Sequence, residues 1–510
     1  MKRLFFSIAA ALLAGVFLQA GEDALTNFTA TRQLTLDEAV QIALRQNPDI
    51  LKAKQEIERT RGLVIETRAQ ALPHLAVAGS YNQQDKRLLK DFGGTGGSTT
   101  SASAQATPAA TPASGTGSSS DSTTQASTQN QQQSGFSSAS RQDKSWQVTI
   151  EARQLIYSGG QVAAALRIAR FTEDSSYWSL RNTIDTVVAT TRRQFYDVLL
   201  DRALIKVQQE SIELLQSQLS DQQNRFEAGT VPRFNVLQAE VALANARPGL
   251  ISARNNYLIA QLALAKTLGL GASEQRPGAP PINAVGELTV EPRSLDVAQS
   301  LAEAHERRPF LKVQRLQILT EVQDIKVQLA GYQPRIEANG GYLFRNSRAS
   351  TDLSQVVNGW FFGGTGSWDI FDGFATYGRV KQARARLESA KINYDDSINQ
   401  VDLEVQQAIA AVRQARETIE SQEKTVEQAN EAVRLARERL SAGAGTQLDV
   451  LNAQVQLTQA RSTELQARHD YNSALAELDR VTAADTRYTE SFADPMARRR
   501  VERVEVRRDK

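Results

Sequence analysis

The stretch RLSAGAGTQLDVLNAQVQLTQAR, at Arg439–Arg461, places a turn of small residues between two segments with helical periodicity. An earlier stretch, RFEAGTVPRFNVLQAEVALANAR at Arg225–Arg247, aligns with it without gaps at an offset of 214 and shares 10 of its 23 residues. A supersecondary unit that recurs within a chain indicates a repeat architecture. We therefore interpret the two stretches as the tips of two equivalent helical hairpins.

The composition excludes several classes of protein. The 510 residues carry a formal net charge of +2, so no basic field indicates nucleic acid as a partner. The absence of cysteine excludes disulfides and cysteine metal sites. His74, His305 and His469 lack metal-ligand spacing, and we expect surface or packing roles for them. With no catalytic constellation and no phosphate-binding loop, we expect neither an enzyme nor a cofactor or metal site.

The N-terminus resembles a secretory signal peptide. Lys2 and Arg3 precede a short apolar run at Phe5–Leu18, and Ala20 ends a plausible cleavage site. A membrane anchor is the alternative, but the run has about 14 residues and a spanning helix needs roughly 20. We therefore expect an exported chain.

Changes of periodicity divide the chain into segments that occur twice in the same order. Apolar residues at intervals of three and four predict helices, and strict alternation predicts strands. The low-complexity stretch is too polar to bury a core, so we expect a mobile loop there. The segments are 1–20 (signal peptide), 34–70 (helical start of the first repeat), 71–157 (strand hairpin, with the low-complexity loop at 93–140), 160–268 (long helical hairpin), 269–293 (linker), 294–331 (helical start of the second repeat), 332–372 (second strand hairpin), 374–482 (second long helical hairpin) and 484–510 (basic tail).

The predicted elements suit a membrane pore with a long extension. A helix of about 65 residues spans on the order of 100 Å, which indicates a rod, a stalk or the wall of a duct. Strands with one apolar and one polar face suit a wall between lipid and water, although a half-buried sheet in a soluble domain is the alternative. Four strands cannot close a barrel, so other copies of the chain must complete it. Two copies supply eight strands and three supply twelve. Aromatic residues that suit interfacial girdles are Tyr81, Trp146, Tyr342, Phe344, Trp360 and Trp368.

The order of elements, the duplication and the Gly-x₅-Asp-Val-Leu-x-Ala run at Gly443–Ala453 resemble the TolC family of outer-membrane efflux and secretion channels. The resemblance covers about residues 34 to 483. It implies a mixed α and β fold with internal duplication, in which a trimeric β-barrel of twelve strands continues as a long α-helical coiled-coil barrel in the periplasm. It further implies a location in the outer membrane, in contact with its lipid, and docking on a periplasmic adaptor and an inner-membrane transporter.

The resemblance also implies roles for residues of the two tips. Asp449 matches an aspartate that lines the closed channel entrance, although a capping or solvated role is the alternative. Asn452 stands where some members have a second acidic residue, and Asn235 occupies the position of Asp449 in the first repeat. Gly445 replaces an arginine that holds some members closed. The implied adaptor contacts are Arg225, Gly229, Val236, Leu237, Arg439, Gly443, Val450 and Leu451.

Two functions follow from these patterns. The first is a passive export duct, coupled to energy only through its partners. The second is a periplasmic coiled-coil protein with a structural or adaptor role, which accounts for the long hairpins but not for the amphipathic strands. The sequence leaves the cargo open among drugs, metals and proteins.

Overall fold

A computed structural model describes residues 33–83, 144–270, 282–347 and 353–484. The predicted signal peptide at 1–20, the low-complexity loop at 93–140 and all but the first residue of the basic tail at 484–510 lie outside these residues. The chain divides into two compact units. Of the described residues, the helical unit comprises 33–67, 160–270, 282–330 and 372–484, and the sheet unit comprises 68–83, 144–159, 331–347 and 353–371.

The helices follow the expected periodic segments closely. Thr35 and Glu38 form a capping box that starts the first helix, and Pro48 separates it from the second. The helices are α1 (Leu36–Gln46), α2 (Pro48–Ala69), α3 (Gln161–Glu227), α4 (Arg233–Thr267), α5 (Val297–Arg307), α6 (Pro309–Leu329), α7 (Ala375–Ser441) and α8 (Gln447–Thr482). We call α3 with α4 the first hairpin and α7 with α8 the second hairpin.

Corresponding helices in the two halves of the chain have equal or nearly equal lengths. Helices α3 and α7 each contain 67 residues, and α1 and α5 each contain 11. The breaks also match, since a proline opens both α2 and α6. One difference from the sequence prediction occurs at the start of α5. The helix begins at Val297 rather than at Ser294, because the Asp296 side chain accepts the N–H of Ala298 and makes Asp296 the N-cap.

Two short strands join distant parts of the helical unit. Strand β1 (Gln33–Leu34) pairs in parallel with β4 (Asn283–Ala284), inside the predicted linker. Beside this pair, buried side chains of α1, α3 and α4 form the largest apolar cluster of the described residues, with Leu180, Phe195 and Leu264 among them. A smaller cluster nearer the tips contains Ile212, Leu215, Leu243 and Leu451, and thereby connects the first hairpin to α8.

The sheet unit contains four antiparallel strands. They are β2 (His74–Gln83), β3 (Lys144–Ser158), β5 (Arg335–Asn346) and β6 (Val356–Ser367), and their order in the sheet is β2-β3-β5-β6. Their register brings the predicted apolar positions to one face, where Val77, Ile150, Tyr342 and Trp360 form one continuous row. The opposite face carries Glu151, which accepts hydrogen bonds from Arg153 and Asn339, its neighbours on that face.

The apolar face of the sheet is open to its surroundings. Trp360 and Phe362 are each 80% exposed, and Leu75 is 75% exposed. Within the described residues, β2 and β6 each pair on one side only. Among the helices of the described part of the chain, none combines the length and the apolar character needed to cross a membrane.

Candidate docking and gating site at the hairpin tips

The first tip turn ends α3 with two characteristic backbone hydrogen bonds. The N–H of Gly229 donates to the carbonyl of Phe226 at 2.9 Å, and the N–H of Thr230 donates to the carbonyl of Arg225 at 2.9 Å. Gly229 has a φ of 72°. This is the Schellman arrangement, in which a residue in the left-handed region lets the chain leave the helix. The position explains why glycine recurs in both tips.

The second tip turn ends α7 in the same way. The N–H of Gly443 donates to Leu440 at 3.2 Å, the N–H of Ala444 donates to Arg439 at 2.9 Å, and Gly443 has a φ of 74°. Both tips have an arginine at the same position, and the carbonyls of Arg225 and Arg439 accept the hydrogen bond that spans five residues in each turn. Gly445 packs closely on this turn, since a Cβ atom there would lie 3.0 Å from that of Arg439. A larger residue at position 445 would therefore require the turn to shift.

Asp449 completes a capping box at the start of α8. Its N–H donates to Thr446 Oγ1 at 3.2 Å, and its carboxylate accepts the backbone N–H and the hydroxyl of Thr446, each at 2.8 Å. These hydrogen bonds, with a smaller contribution from the charge of Arg439, hold the pKa of Asp449 below its usual value. In the first tip, Pro232 is the N-cap and caps α4 with no side chain, and Asn235 donates its backbone N–H to the carbonyl of Pro232 at 3.1 Å. The two tips therefore differ in charge and in capping.

The residues implied as adaptor contacts divide by burial. Val236, Val450 and Leu451 are buried within the chain, and Leu451 belongs to the cluster that also contains Leu215 and Leu243. The other implied adaptor contacts are exposed to solvent. Both entrance positions of the second tip are also exposed. The exposed set is Arg225, Gly229, Leu237, Arg439, Gly443, Asp449 and Asn452, while Asn235 is half-buried.

A pair of buried glutamines connects the tips of the two hairpins. Gln222 of α3 donates from Nε2 to Oε1 of Gln447 of α8 at 3.3 Å. Gln454, one to two turns further along α8, is also buried, and its amide makes no hydrogen bond with any described residue. A buried polar side chain without a protein partner is costly. The contact between α3 and α8 at these glutamines is therefore weaker than an apolar contact of the same size.

Polar contacts continue along the line where α3 meets α8, which we call the inter-hairpin seam. Sequence reasoning missed this seam, because its partners lie more than 200 residues apart and no local pattern pairs them. In the order of α3 toward its tip, the contacts are Arg192 with Asp479 (3.1 Å), Asp197 with His469 (2.7 Å), Glu210 with Arg461 (3.2 Å), Ser211 with Thr458 (3.4 Å) and Gln222 with Gln447 (3.3 Å).

The family of the chain follows from its sequence together with this architecture. The outer membrane efflux protein family matches residues 114–270 and 301–484, which is more than half of the chain. The chain belongs to the outer membrane efflux protein family. This family is one of channel proteins, and it places the chain in the outer membrane with a periplasmic extension.

Curated members of the efflux protein family show partial sequence similarity. Protein CyaE of Bordetella pertussis is 27% identical over 317 residues, which span 60% of this chain and 64% of CyaE. Outer membrane protein TolC of Escherichia coli is 31% identical over 114 residues, which span 22% of this chain and 23% of TolC. The matched part is thus less than two thirds of either relative.

Solved structures of efflux channels share the fold over most of the chain. The CmeC outer membrane channel of Campylobacter jejuni superposes with a TM-score of 0.68 at 14% identity, covering 88% of this chain and 85% of CmeC. The open state of the MtrE outer membrane channel of Neisseria gonorrhoeae gives a TM-score of 0.64 at 18% identity, covering 88% of each chain. The fold is therefore the mixed, mostly helical one of these channels.

Within the described residues, no group of three or more His, Asp or Glu side chains is placed to hold a metal ion.

Proposed function

We propose that the chain is the outer-membrane channel of a tripartite efflux or secretion system. In this function it passively conducts substrates that an inner-membrane transporter delivers through a periplasmic adaptor. The energy for transport comes from that transporter.

The apolar face of the four-stranded sheet is the observation that carries this proposal. Rows of exposed side chains such as Val77, Ile150, Tyr342 and Trp360 cross all four strands, and an exposed apolar surface of this kind needs a partner. Lipid is the partner that suits an apolar band opposite a face with Glu151 and Arg153. The edges of β2 and β6 that pair with no described strand also need partners, because open strand edges are not tolerated in lipid.

Other copies of the chain supply those edges in the proposed assembly. A homotrimer would close twelve strands into a barrel wide enough to hold water, whereas side chains fill a barrel of eight. The matching halves of the chain, which we interpret as an internal duplication, would give each copy two strand hairpins and two helical hairpins. Helices of 67 residues would continue the barrel for on the order of 100 Å.

We place the adaptor contact and the channel entrance at the two hairpin tips. The exposed members of the implied set, Arg225, Gly229, Leu237, Arg439 and Gly443, would meet the adaptor directly. The buried members Val236, Val450 and Leu451 would then position the helices that present them. Asp449, with Asn452 and the first-tip Asn235, would line the entrance, where three copies of the Asp449 carboxylate would attract cations.

The alternative is a periplasmic coiled-coil protein with a structural or adaptor role. The two long hairpins favour it, but it leaves the exposed aromatic face of the sheet without a partner.

A bilayer experiment distinguishes these functions. We expect the purified chain to fractionate with the outer membrane, to migrate as a trimer in mild detergent and to give a steady conductance in a planar bilayer. Replacement of Trp360 and Phe362 by serine would serve as a matched variant, because it removes two apolar side chains that are each 80% exposed without changing the helical hairpins. A soluble monomer without conductance would reject the channel.

A further inference from the structure

A buried histidine lies in the inter-hairpin seam. His469 of α8 is 8% exposed. Its Nε2 atom lies 2.7 Å from Asp197 Oδ1 on α3, and its Nδ1 atom lies 2.9 Å from Asp470 Oδ1 on its own helix. Both ring nitrogens therefore face carboxylates.

This geometry requires a particular protonation state of the histidine. A neutral imidazole has one N–H and one lone pair, whereas the imidazolium has two N–H groups. With carboxylates on both sides, only the imidazolium donates to Asp197 and to Asp470 at once. In the neutral ring, one carboxylate would face a nitrogen lone pair at hydrogen-bond distance. A neutral ring either turns its lone pair toward Asp197 or keeps an N–H toward Asp197 without the positive charge, so the contact between α3 and α8 is strongest when His469 carries its second proton.

We propose that His469 and Asp197 form a proton-dependent clamp between the first and second helical hairpins. Uptake of a proton by His469 strengthens the clamp, and loss of that proton weakens it. The clamp joins helices of different hairpins, so its weakening loosens the seam that runs to the tips.

A second acidic group of α3 acts in the same direction. Asp201 lies one turn beyond Asp197, and burial raises its pKa to about 6, with the charge of Asp197 adding to the shift and His469 opposing it. For His469, burial by itself lowers the pKa, but the hydrogen bonds to Asp197 and Asp470 and the charges of those groups outweigh it, so the pKa is raised.

The sign of the pH effect follows from these directions. A histidine whose pKa is raised in the folded state contributes stability that is complete below its unfolded pKa of about 6.5 and is lost as the pH rises through its folded pKa. Asp201 also binds its proton more tightly in the folded state, so its contribution is lost as the pH rises from its unfolded value toward about 6. Both groups therefore make the seam tighter at mildly acidic pH than at alkaline pH.

Neighbouring side chains around the clamp make contacts of their own. On α8, Arg468 pairs with Glu464 at 2.7 Å and with Glu423 of α7 at 3.4 Å. Ahead of α5, the backbone carbonyl of Glu291 accepts the hydroxyl of Tyr471 at 2.7 Å. The polar neighbours Gln466 and Ser473 complete the surroundings of the ring, at 3.4 Å and 3.3 Å.

Hydrogen–deuterium exchange of the full-length protein in detergent tests the clamp. Peptides covering 193–206 and 464–476 would be followed at about pH 6 and about pH 8.5, with exchange times scaled for the intrinsic rate. We expect protection of these peptides to fall about tenfold on alkalinisation, as for the loss of one hydrogen bond to a charged group. His469→Gln should remove the pH dependence, and so should Asp197→Asn, which keeps the side-chain volume.

His305→Gln is the matched control, because His305 faces a single carboxylate, Asp402, and is far more exposed. It should keep the wild-type response. Equal pH dependence in wild type and His469→Gln, or no pH dependence in the wild type, would overturn the clamp. The clamp does not depend on the proposed channel function, and only its effect on transport does. A conductance that ignores pH while exchange protection responds would count against gating through this seam and leave the clamp standing.

Discussion

Gln222 and Gln447 form a side-chain hydrogen bond of 3.3 Å between the first and second hairpins, and both residues are more than nine-tenths buried. The second amide atom of each, Oε1 of Gln222 and Nε2 of Gln447, has no partner among the described residues. The bond therefore holds the tips together while it leaves half of each amide unsatisfied. Such a contact suits two elements that must stay together at rest and separate at low cost.

Replacement of the glutamine pair by leucines tests this balance. Gln447→Leu alone should destabilise the helical unit by about 1–3 kcal/mol, because it leaves the Gln222 amide buried without a partner. The double variant Gln222→Leu/Gln447→Leu should recover most of that loss, because both polar groups are removed together. Thermal unfolding of the two single variants and the double variant gives the coupling energy.

Gln459→Leu provides the control for these substitutions, because Gln459 is exposed and bonds only within α8. Its effect should stay within about 0.5 kcal/mol. If the single and double losses were simply additive, the amides would not interact across the seam.

The capping box of α8 allows the structural and electrostatic roles of Asp449 to be separated. Thr446→Ala removes the N-cap and should destabilise the start of α8 by about 1 kcal/mol while it leaves the carboxylate in place. Asp449→Asn keeps an oxygen that can accept the Thr446 N–H but removes the charge. We expect Asp449→Asn to lower cation selectivity in a planar bilayer more than Thr446→Ala does. Equal selectivity in Asp449→Asn and the wild type would remove Asp449 from the entrance.

The glycines of the tip turns should resist substitution because of their backbone conformation. Gly229 and Gly443 have φ values of 72° and 74°, and no atom lies within 4 Å of a Cβ built at either position. Alanine should therefore cost about 1–2 kcal/mol through φ alone, without a clash. Gly378→Ala, in the open first turns of α7, is the control and should stabilise the helix by about 0.5–1 kcal/mol. Local hydrogen-exchange rates at the tips would measure the loss of stability caused by alanine. A Gly443→Ala variant with unchanged stability would contradict a strained turn.

The elements that the sequence predicts well are those with a local cause. Trp146, Val148 and Ile150 occupy alternate positions because each strand has one apolar face. The buried apolar residues of the long helices recur at intervals of three and four. The tip glycines are visible because both turns need the same backbone conformation. The pairing of β1 with β4 was not predictable, since each strand has two residues and the partners are 250 positions apart.

The contacts of the candidate site were also hard to predict from the sequence, because their partners are far apart in the chain. No pattern in α8 reveals that His469 meets Asp197, which is 272 residues away, because that pairing depends on how α3 and α8 are aligned. The burial of Leu451 likewise depends on the other hairpin, because its cluster contains Leu215 and Leu243. The resemblance to a family identified the tips, but it could not distinguish residues that face a partner from residues that hold the helices.

A disulfide across the inter-hairpin seam would test whether the hairpins must separate for conduction. Ser211 Oγ and Thr458 Oγ1 lie 3.4 Å apart on α3 and α8, and the chain contains no cysteine that could compete. Ser211→Cys/Thr458→Cys should therefore form one intramolecular cross-link, since side chains this close can reach disulfide geometry with small adjustments. We expect oxidation to suppress conductance and a reductant to restore it, with each single cysteine variant unaffected by either treatment. An oxidised, fully cross-linked channel that conducts like the wild type would mean that the seam stays closed during transport, and the entrance would then have to widen between copies of the chain.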